Sequence, residues 1–260
     1  MKKLGLALGA GGIRGIAHIG ILKALEEADI KVDYIAGSSS GAVVGSCYAG
    51  GMSTEKMLKI VQKLNVFSII DLSLDPFRKG GLFRSKKYKE LIRKTLPIKT
   101  YEHLKIPFCC VATDIVSGET VVLDSGNLAE NVSASSAMPS IFRPVKQGDM
   151  LLIDGGIKCR VPVKQVRDMG ADVVVGIDVL GQETKGNYKY NTLNVLLRAI
   201  DIADAQLALL TKDYTKPDLY IDFEMNGASQ YKFKNIEEIY NKGYEVGKSN
   251  VETIKKLLCD

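Results

Sequence analysis

Ser39 stands at the centre of Gly37-Ser38-Ser39-Ser40-Gly41, a G-x-S-x-G pattern. The apolar run Val32 to Ala36 before it reads as a strand, and Ala42 to Ala49 after it as the first turns of a helix. A sharp strand-to-helix turn needs small flanking residues, because a side chain at either glycine would collide with the turn. Such a turn lifts the central hydroxyl clear of the backbone and aims a helix N-terminus at it, which favours negative charge developing nearby. The chemistry on offer is nucleophilic attack by a serine. On its own the pattern reads more simply as a flexible turn, so the rest of the chain must supply the partners.

Histidine usage restricts those partners. The chain has two histidines, His18 and His103, and the last 157 residues contain none. In the α/β-hydrolase order of a Ser-His-Asp triad the histidine follows the acid, and here no C-terminal histidine is available. His18 sits in an early helix turn and His103 ahead of a strand, and both read as structural or surface residues. The base is then a carboxylate. Asp154 is the best candidate, in Leu151-Leu152-Ile153-Asp154-Gly155-Gly156, where an apolar strand ends in Asp and two glycines leave room beside it. In water an aspartate is a weak base, with a pKa of about 3.9. Partial desolvation would raise that value and ease proton acceptance. Alone, an Asp-Gly at a strand end is a common turn.

A third element lies near the N-terminus, in Leu8-Gly9-Ala10-Gly11-Gly12-Ile13-Arg14-Gly15. A strand over Leu4 to Leu8 runs into a glycine-rich loop and then a helix. Bare glycine amides can point at an anion, and in acyl transfer they form an oxyanion hole. Arg14 places a positive charge beside the loop. A nucleotide-phosphate loop fits less well. No Gly-Lys-Ser/Thr follows, and Ala10 occupies the first glycine position of a strict G-x-G-x-x-G.

A glycine-rich loop with Arg, then G-x-S-x-G, then Asp-Gly-Gly, in this order, resembles the motif set of the patatin-like phospholipases. The similarity extends to the helix Gly15 to Glu27, to Ala112-Thr113-Asp114 and Ser117-Gly118-Glu119, and to Ser135 through Val145. Pro162-Val163 and Gly170 to Val175 continue it, so that it covers roughly three-quarters of the chain. The resemblance implies a three-layer α/β/α fold around a mostly parallel sheet and a Ser-Asp dyad without histidine, in agreement with the histidine argument. It assigns Ser39 as nucleophile, Asp154 as base and the Gly11 and Gly12 amides as oxyanion hole. Arg14, by its place in the motif, is assigned to substrate binding near a phosphate, with a structural pin for the loop as the alternative. The chain departs from the pattern at Ala10, where a glycine is usual. Cys159-Arg160 also stand where similar sequences often carry asparagines, which bears on the shape of the site beside Asp154. The implied function is hydrolysis of fatty-acyl esters of phospholipids, lysophospholipids or related lipids, with no cofactor and no metal. An acyltransferase or thioesterase on the same dyad, or a non-catalytic lipid-binding module, are the alternatives.

The elements that must position these groups follow from pattern. Strands are expected at Leu4–Leu8, Tyr34–Ala36, Phe108–Thr113, Thr120–Asp124, Leu151–Ile153, Val173–Asp178 and Leu219–Asp222. Helices are expected at Ile16–Ala28, Ala42–Ala49, Thr54–Lys63, Ser85–Thr95, Val161–Met169, Thr192–Lys212 and Asn235–Leu258. Their alternation argues for a parallel sheet covered on both faces. Residues 1–260 read as one domain, with 192–260 as a C-terminal extension whose helices pack on the core through Leu193, Leu196, Leu197, Ile200 and Ile236, Ile239, Tyr240. At 46% hydrophobic and 25% charged residues, a large core and a soluble surface are both expected. Five cysteines without a C-x-x-C pair suggest reduced thiols and a cytoplasmic setting. Lys2-Lys3 before Leu4 to Leu8 resembles a short signal peptide, but cleavage would remove the first strand or the glycine loop. Charge is concentrated in residues 76–94, where eight Lys/Arg and one Glu carry +7 of a chain total of +5. Phe77, Phe83 and Tyr88 are interleaved there. The plain reading is a solvated helix with its lead-in loop, and the sharper one a peripheral surface for anionic membrane lipid. No module for nucleic acid accompanies it.

Overall fold

The computed structural model describes residues 2–64, 81–83, 85–181, 191–222 and 235–259. Its sheet is built from β1 (Leu4–Leu8), β2 (Tyr34–Ser38), β4 (Phe108–Asp114), β5 (Thr120–Leu123), β7 (Val145–Gln147), β8 (Met150–Asp154), β9 (Val173–Asp178) and β10 (Leu219–Asp222), in the order β10-β9-β1-β2-β4-β8-β7, with β5 also on β4. The run from β10 to β4 is parallel, and the pairings of β4 with β5 and β8 and of β8 with β7 are antiparallel. The central strands β1, β4 and β9 are buried along their whole length, as parallel strands covered on both faces must be. Their side chains alternate between two cores. Leu4, Leu6 and Leu8 point into the larger one, which includes helix α1 (Ile16–Glu27). Ala7, Ala36 and Val174 face a smaller one with α6 (Val163–Asp168). The mixed α/β fold inferred from the sequence is the one observed.

Three more helices surround the site: α2 (Ser40–Ala49), α3 (Thr54–Lys63) and α4 (Lys86–Thr95). The remaining three among the described residues are α5 (Leu128–Ser135), α7 (Thr192–Thr215) and α8 (Ile236–Cys259). Helix α8 lies on α1 with the two backbones in contact. A Cβ on Gly243 would sit 2.2 Å from the Ala17 carbonyl oxygen, and one on Gly20 would sit 2.2 Å from that of Tyr240. Helix α7 departs from expectation. Leu197 is buried as its spacing predicts, but Leu196 is exposed, together with Val195, Ile202, Leu209, Leu210 and Tyr214. The expectation of a core-packing helix therefore holds for one face only. Sequence pattern also missed the eight-residue α5 and, because three-residue strands carry no period to detect, β7 and a separate two-stranded sheet of β3 (Gly81–Phe83) with β6 (Ser140–Phe142).

Strand β4 serves as a ruler for the site. β5 pairs with residues Cys110 to Thr113 and so occupies one edge of β4. β2 and β8 must share the other edge. β2, running parallel, ends at Ser38 opposite Val111. β8, running antiparallel, ends at Asp154 opposite Ala112. Two strands thus approach head-on along one edge and stop at neighbouring residues of β4, about 3.3 Å apart along it.

Candidate active site

Ser39 is the single residue between β2 and α2, and the turn is tighter than the sequence suggested, since the helix starts at Ser40 rather than Ala42. It adopts φ 51° and ψ −119°, a strained backbone for a non-glycine residue. The turn survives because its second glycine touches the neighbouring strand. A Cβ on Gly41 would lie 2.1 Å from the Leu8 carbonyl oxygen. The strain is held from α5. Ser135 Oγ accepts the Ser39 N–H at 3.0 Å, and Ser136 Oγ donates to the Ser39 carbonyl at 3.2 Å. Overdetermination of this kind is what keeps a strained residue in place.

The Ser39 hydroxyl donates to Asp154 Oδ2 at 2.6 Å. The other carboxylate oxygen, Oδ1, accepts the Gly156 amide at 2.8 Å, so the Gly-Gly turn fixes the carboxylate plane. Asp154 is 4% exposed, and burial pushes its carboxyl up to about 6, against the opposing pull of the Ser39 hydroxyl and the Gly156 amide. A carboxyl at this value is ionised at neutral pH yet far more basic than one in water. The register that delivers it is locked by Asp114, whose Oδ1 accepts the Leu151 amide at 3.0 Å. That bond, with Ser117, holds the Asp114 carboxyl below the usual range.

The glycine loop lies across from the dyad. The amides of Gly9 and Ala10 are taken by the carbonyls of Ile177 and Arg160, each at 2.9 Å. Gly11 and Gly12 follow, line the same cavity as Ser39 and Asp154, and lead into a short 3-10 turn over Gly12–Gly15. Arg14 is placed differently from the substrate contact assigned to it. It is 2% exposed, donates to the Leu180 carbonyl at 3.1 Å and is absent from the cavity wall. This is the position of a pin that ties the loop to the end of β9. His18 is also buried, and its Nε2 donates to the Gly9 carbonyl at 2.9 Å. Burial lowers its pKa to about 4, leaving it neutral and structural. His103 lies on an exposed turn against Thr100.

Arg160, one of the two departures near Asp154, closes the far side. Its guanidinium donates to Asp178 Oδ1 at 2.8 and 3.0 Å, to the Gly181 carbonyl at 2.7 Å and to Asp204 Oδ2 of α7 at 3.3 Å. Its own carbonyl holds Ala10. Through its backbone and side chain together, this one residue joins the glycine loop, β9 and α7. Asp204 carries the cost of burial, which pushes its carboxyl up to about 7 despite the facing arginine.

Ser39 and Asp154 open into a cavity of about 660 Å³. Val43, Val44 and Cys47 of α2, Met57, Ile60 and Val61 of α3, and Leu91 and Ile92 of α4 give it an apolar wall running away from the dyad. Among the described residues its polar lining is confined to the dyad with its flanking serines, Tyr88, Thr95, and Asn194, Asp201 and Asp204 on α7.

A family model described as patatin-like phospholipase matches residues 6–167, a span that contains every one of these loop and dyad residues. The chain belongs to the patatin-like phospholipase family. An uncharacterised NTE family protein of Mycobacterium bovis is 34% identical over 70% of this chain and 50% of its own length. Lysophospholipase nte1 of Emericella nidulans is 28% identical over 98% of this chain and 18% of its own. The chain thus spans half or less of the curated relatives it matches. Among solved structures, VipD from Legionella pneumophila shares the fold with a TM-score of 0.54 at 15% identity, over 97% of this chain and 67% of that one.

In this patatin-like chain the described part of the basic 76–94 segment, residues 81–83 and 85–94, contributes to the cavity. Phe83 and Tyr88 point inward to the cavity, where Tyr88 stacks on Phe142 with centroids 5.0 Å apart. Lys89 pairs with Glu130, and Arg93 and Lys94 with Glu90. Phe77 lies outside the described residues. The two described aromatics of this segment are thus cavity wall. Ser135 and Ser136 are the site residues that sequence reasoning passed over. They were visible only as part of the Ser135 to Val145 similarity, with no signal of their role.

Proposed function

We propose that this chain is a serine acyl hydrolase acting on lipid esters through Ser39 and Asp154. The observation that carries the reading is the 2.6 Å hydrogen bond from a strained serine hydroxyl to a buried, basic carboxylate at one end of an apolar cavity. Asp154 takes the Ser39 proton as Oγ attacks the ester carbonyl, and the amides of Gly11 and Gly12 receive the developing oxyanion. Asp154 returns the proton to the leaving alcohol, which departs and leaves an acyl-serine. Water then gives a proton to the same carboxylate, attacks the acyl-serine and releases the fatty acid with Ser39 restored. The cavity takes the acyl chain, and its volume lies within the range of pockets that enclose small lipids. Arg14 acts as the pin of the oxyanion loop. The name of the fungal lysophospholipase supports a phospholipid or lysophospholipid as the substrate class. Fluorophosphonate labelling tests the reading. Wild type is expected to be labelled and to release fatty acid from lysophospholipid, and Ser39→Ala to do neither while keeping its circular dichroism. Turnover retained in folded Ser39→Ala would reject it.

A further inference from the structure

Helix α7 carries apolar side chains on both its inner and its outer side. Its inner face supplies Leu197, Ile200, Asp201 and Asp204 to the active-site cavity. Its outer face exposes Val195, Leu196, Ile202, Leu209, Leu210 and Tyr214, with Leu210 at 68% and Tyr214 at 84%. Residues 195, 202 and 209 are spaced by seven, which keeps them on one side of a helix. Between Val195 and Leu210 the other exposed residues of that side are Ala199, Ala203 and Gln206, so the stripe carries no charge over that stretch and ends at the exposed Asp213 on the same side. A surface helix normally turns a polar face to water, and a contiguous exposed apolar stripe in its place marks a contact surface.

We propose that the outer face of α7 is a docking surface for a lipid–water interface, seating the cavity on the membrane or micelle that supplies its substrate. Two features favour lipid over a second copy of the chain. The stripe from Val195 to Leu210 is about 23 Å long and about 10 Å wide, whereas a stable protein interface needs roughly 800 Å² from each partner. The same helix walls the cavity, so the docked lipid lies about one helix diameter, roughly 10 Å, from the space that holds the acyl chain. Because the stripe has no charge, docking is apolar insertion in the manner of an interfacial helix and is insensitive to salt. This separates it from any attraction of the basic 76–94 segment, which salt would screen. The choice of occupant rests on the lipid-ester reading, but docking is measured without turnover.

The chain contains no tryptophan, so Ile202→Trp provides a single fluorescent reporter on the stripe. Phosphatidylcholine vesicles are expected to shift its emission to the blue and brominated phosphatidylcholine to quench it, at low and high salt alike. The paired change Ile202→Glu with Leu210→Glu is expected to lower vesicle-bound protein by at least about tenfold. Hydrolysis of a soluble short-chain ester should be unchanged, which also reports that the variant is folded. The Ser39→Ala protein should bind vesicles like wild type, so that failure of docking and failure of the catalytic assignment are distinguishable. Vesicle binding unchanged by the paired glutamates, or a reporter unmoved by vesicles, would overturn the proposal. So would a wild-type dimer in light scattering that the glutamates convert to monomer, since that assigns the stripe to a second copy.

Discussion

Replacing Asp154 by Asn separates the cost of the buried carboxylate from its proposed use. The amide keeps both hydrogen bonds of the native residue. Its Oδ1 can accept the Gly156 amide, and its Nδ2 can donate to Ser39 Oγ in place of accepting from it. What is removed is a buried negative charge. The folded carboxyl is raised from 3.8 to about 6, which is worth about 3 kcal/mol. A carboxyl that holds its proton more tightly when folded makes the native state less stable as pH rises, because the unfolded chain binds fewer protons. Wild type therefore loses this amount between about pH 4 and pH 6 and nothing further above. The variant has no such term. Its advantage should be near zero at pH 4 and approach about 3 kcal/mol at pH 8, a rise in Tm of roughly 6–12 °C for a chain of this size. Thermal melts of both proteins across that range measure the difference directly. Ester hydrolysis should fall by about 10²–10⁴-fold in the same variant, the usual worth of a general base. A Tm difference that does not change with pH, or a variant less stable than wild type at pH 8, would refute the claim that Asp154 is ionised and desolvated. Hydrolysis within tenfold of wild type would refute its role as base.

Three further outcomes follow from the same geometry. The wild-type pH profile of kcat/KM on a soluble ester should rise tenfold per pH unit below about 6 and level off above, because the base works only when ionised; a flat profile across that value would count against Asp154. Gly41→Ala forces a Cβ to within 2.1 Å of the Leu8 carbonyl, so the start of α2 must move and take Ser39 with it. A loss of about 10²-fold in kcat/KM is expected, and wild-type rates would show that the turn tolerates the shift. Cys47 lines the cavity eight residues along α2 from Ser39, about 12 Å by helix rise. Cys47→Phe should therefore depress hydrolysis of palmitoyl esters far more than butyryl esters; an equal effect on both would place the acyl chain elsewhere.

The proposed chemistry could be read from the sequence because it depends on small sets of adjacent residues. Ser39 between its glycines, Asp154 before Gly-Gly, the Gly11–Gly12 loop and the lack of a late histidine all carry their meaning locally. The central strands were legible for a similar reason, since a strand buried on both faces must be a continuous apolar run, as Leu4 to Leu8 and Val173 to Ile177 are. The rest required contacts between distant segments. That Ser38 and Asp154 stop at adjacent residues of β4 is a matter of strand pairing across more than a hundred residues, which no local pattern encodes. The serines of α5 could not be read as clamps on Ser39 until folding brought them 96 and 97 residues back along the chain. Arg14 illustrates the limit most directly. Its motif position suggested either a substrate contact or a pin for the loop, and only the fold shows the side chain buried with a bond to the Leu180 carbonyl, because a side chain's direction is decided when its neighbours are packed. Helix α7 makes the same point in reverse. Its apolar spacing was plain in the sequence, but periodicity reports that a face is apolar and not what covers it. Which leucines line the cavity and which stand in the open was settled by the side on which the helix meets the sheet.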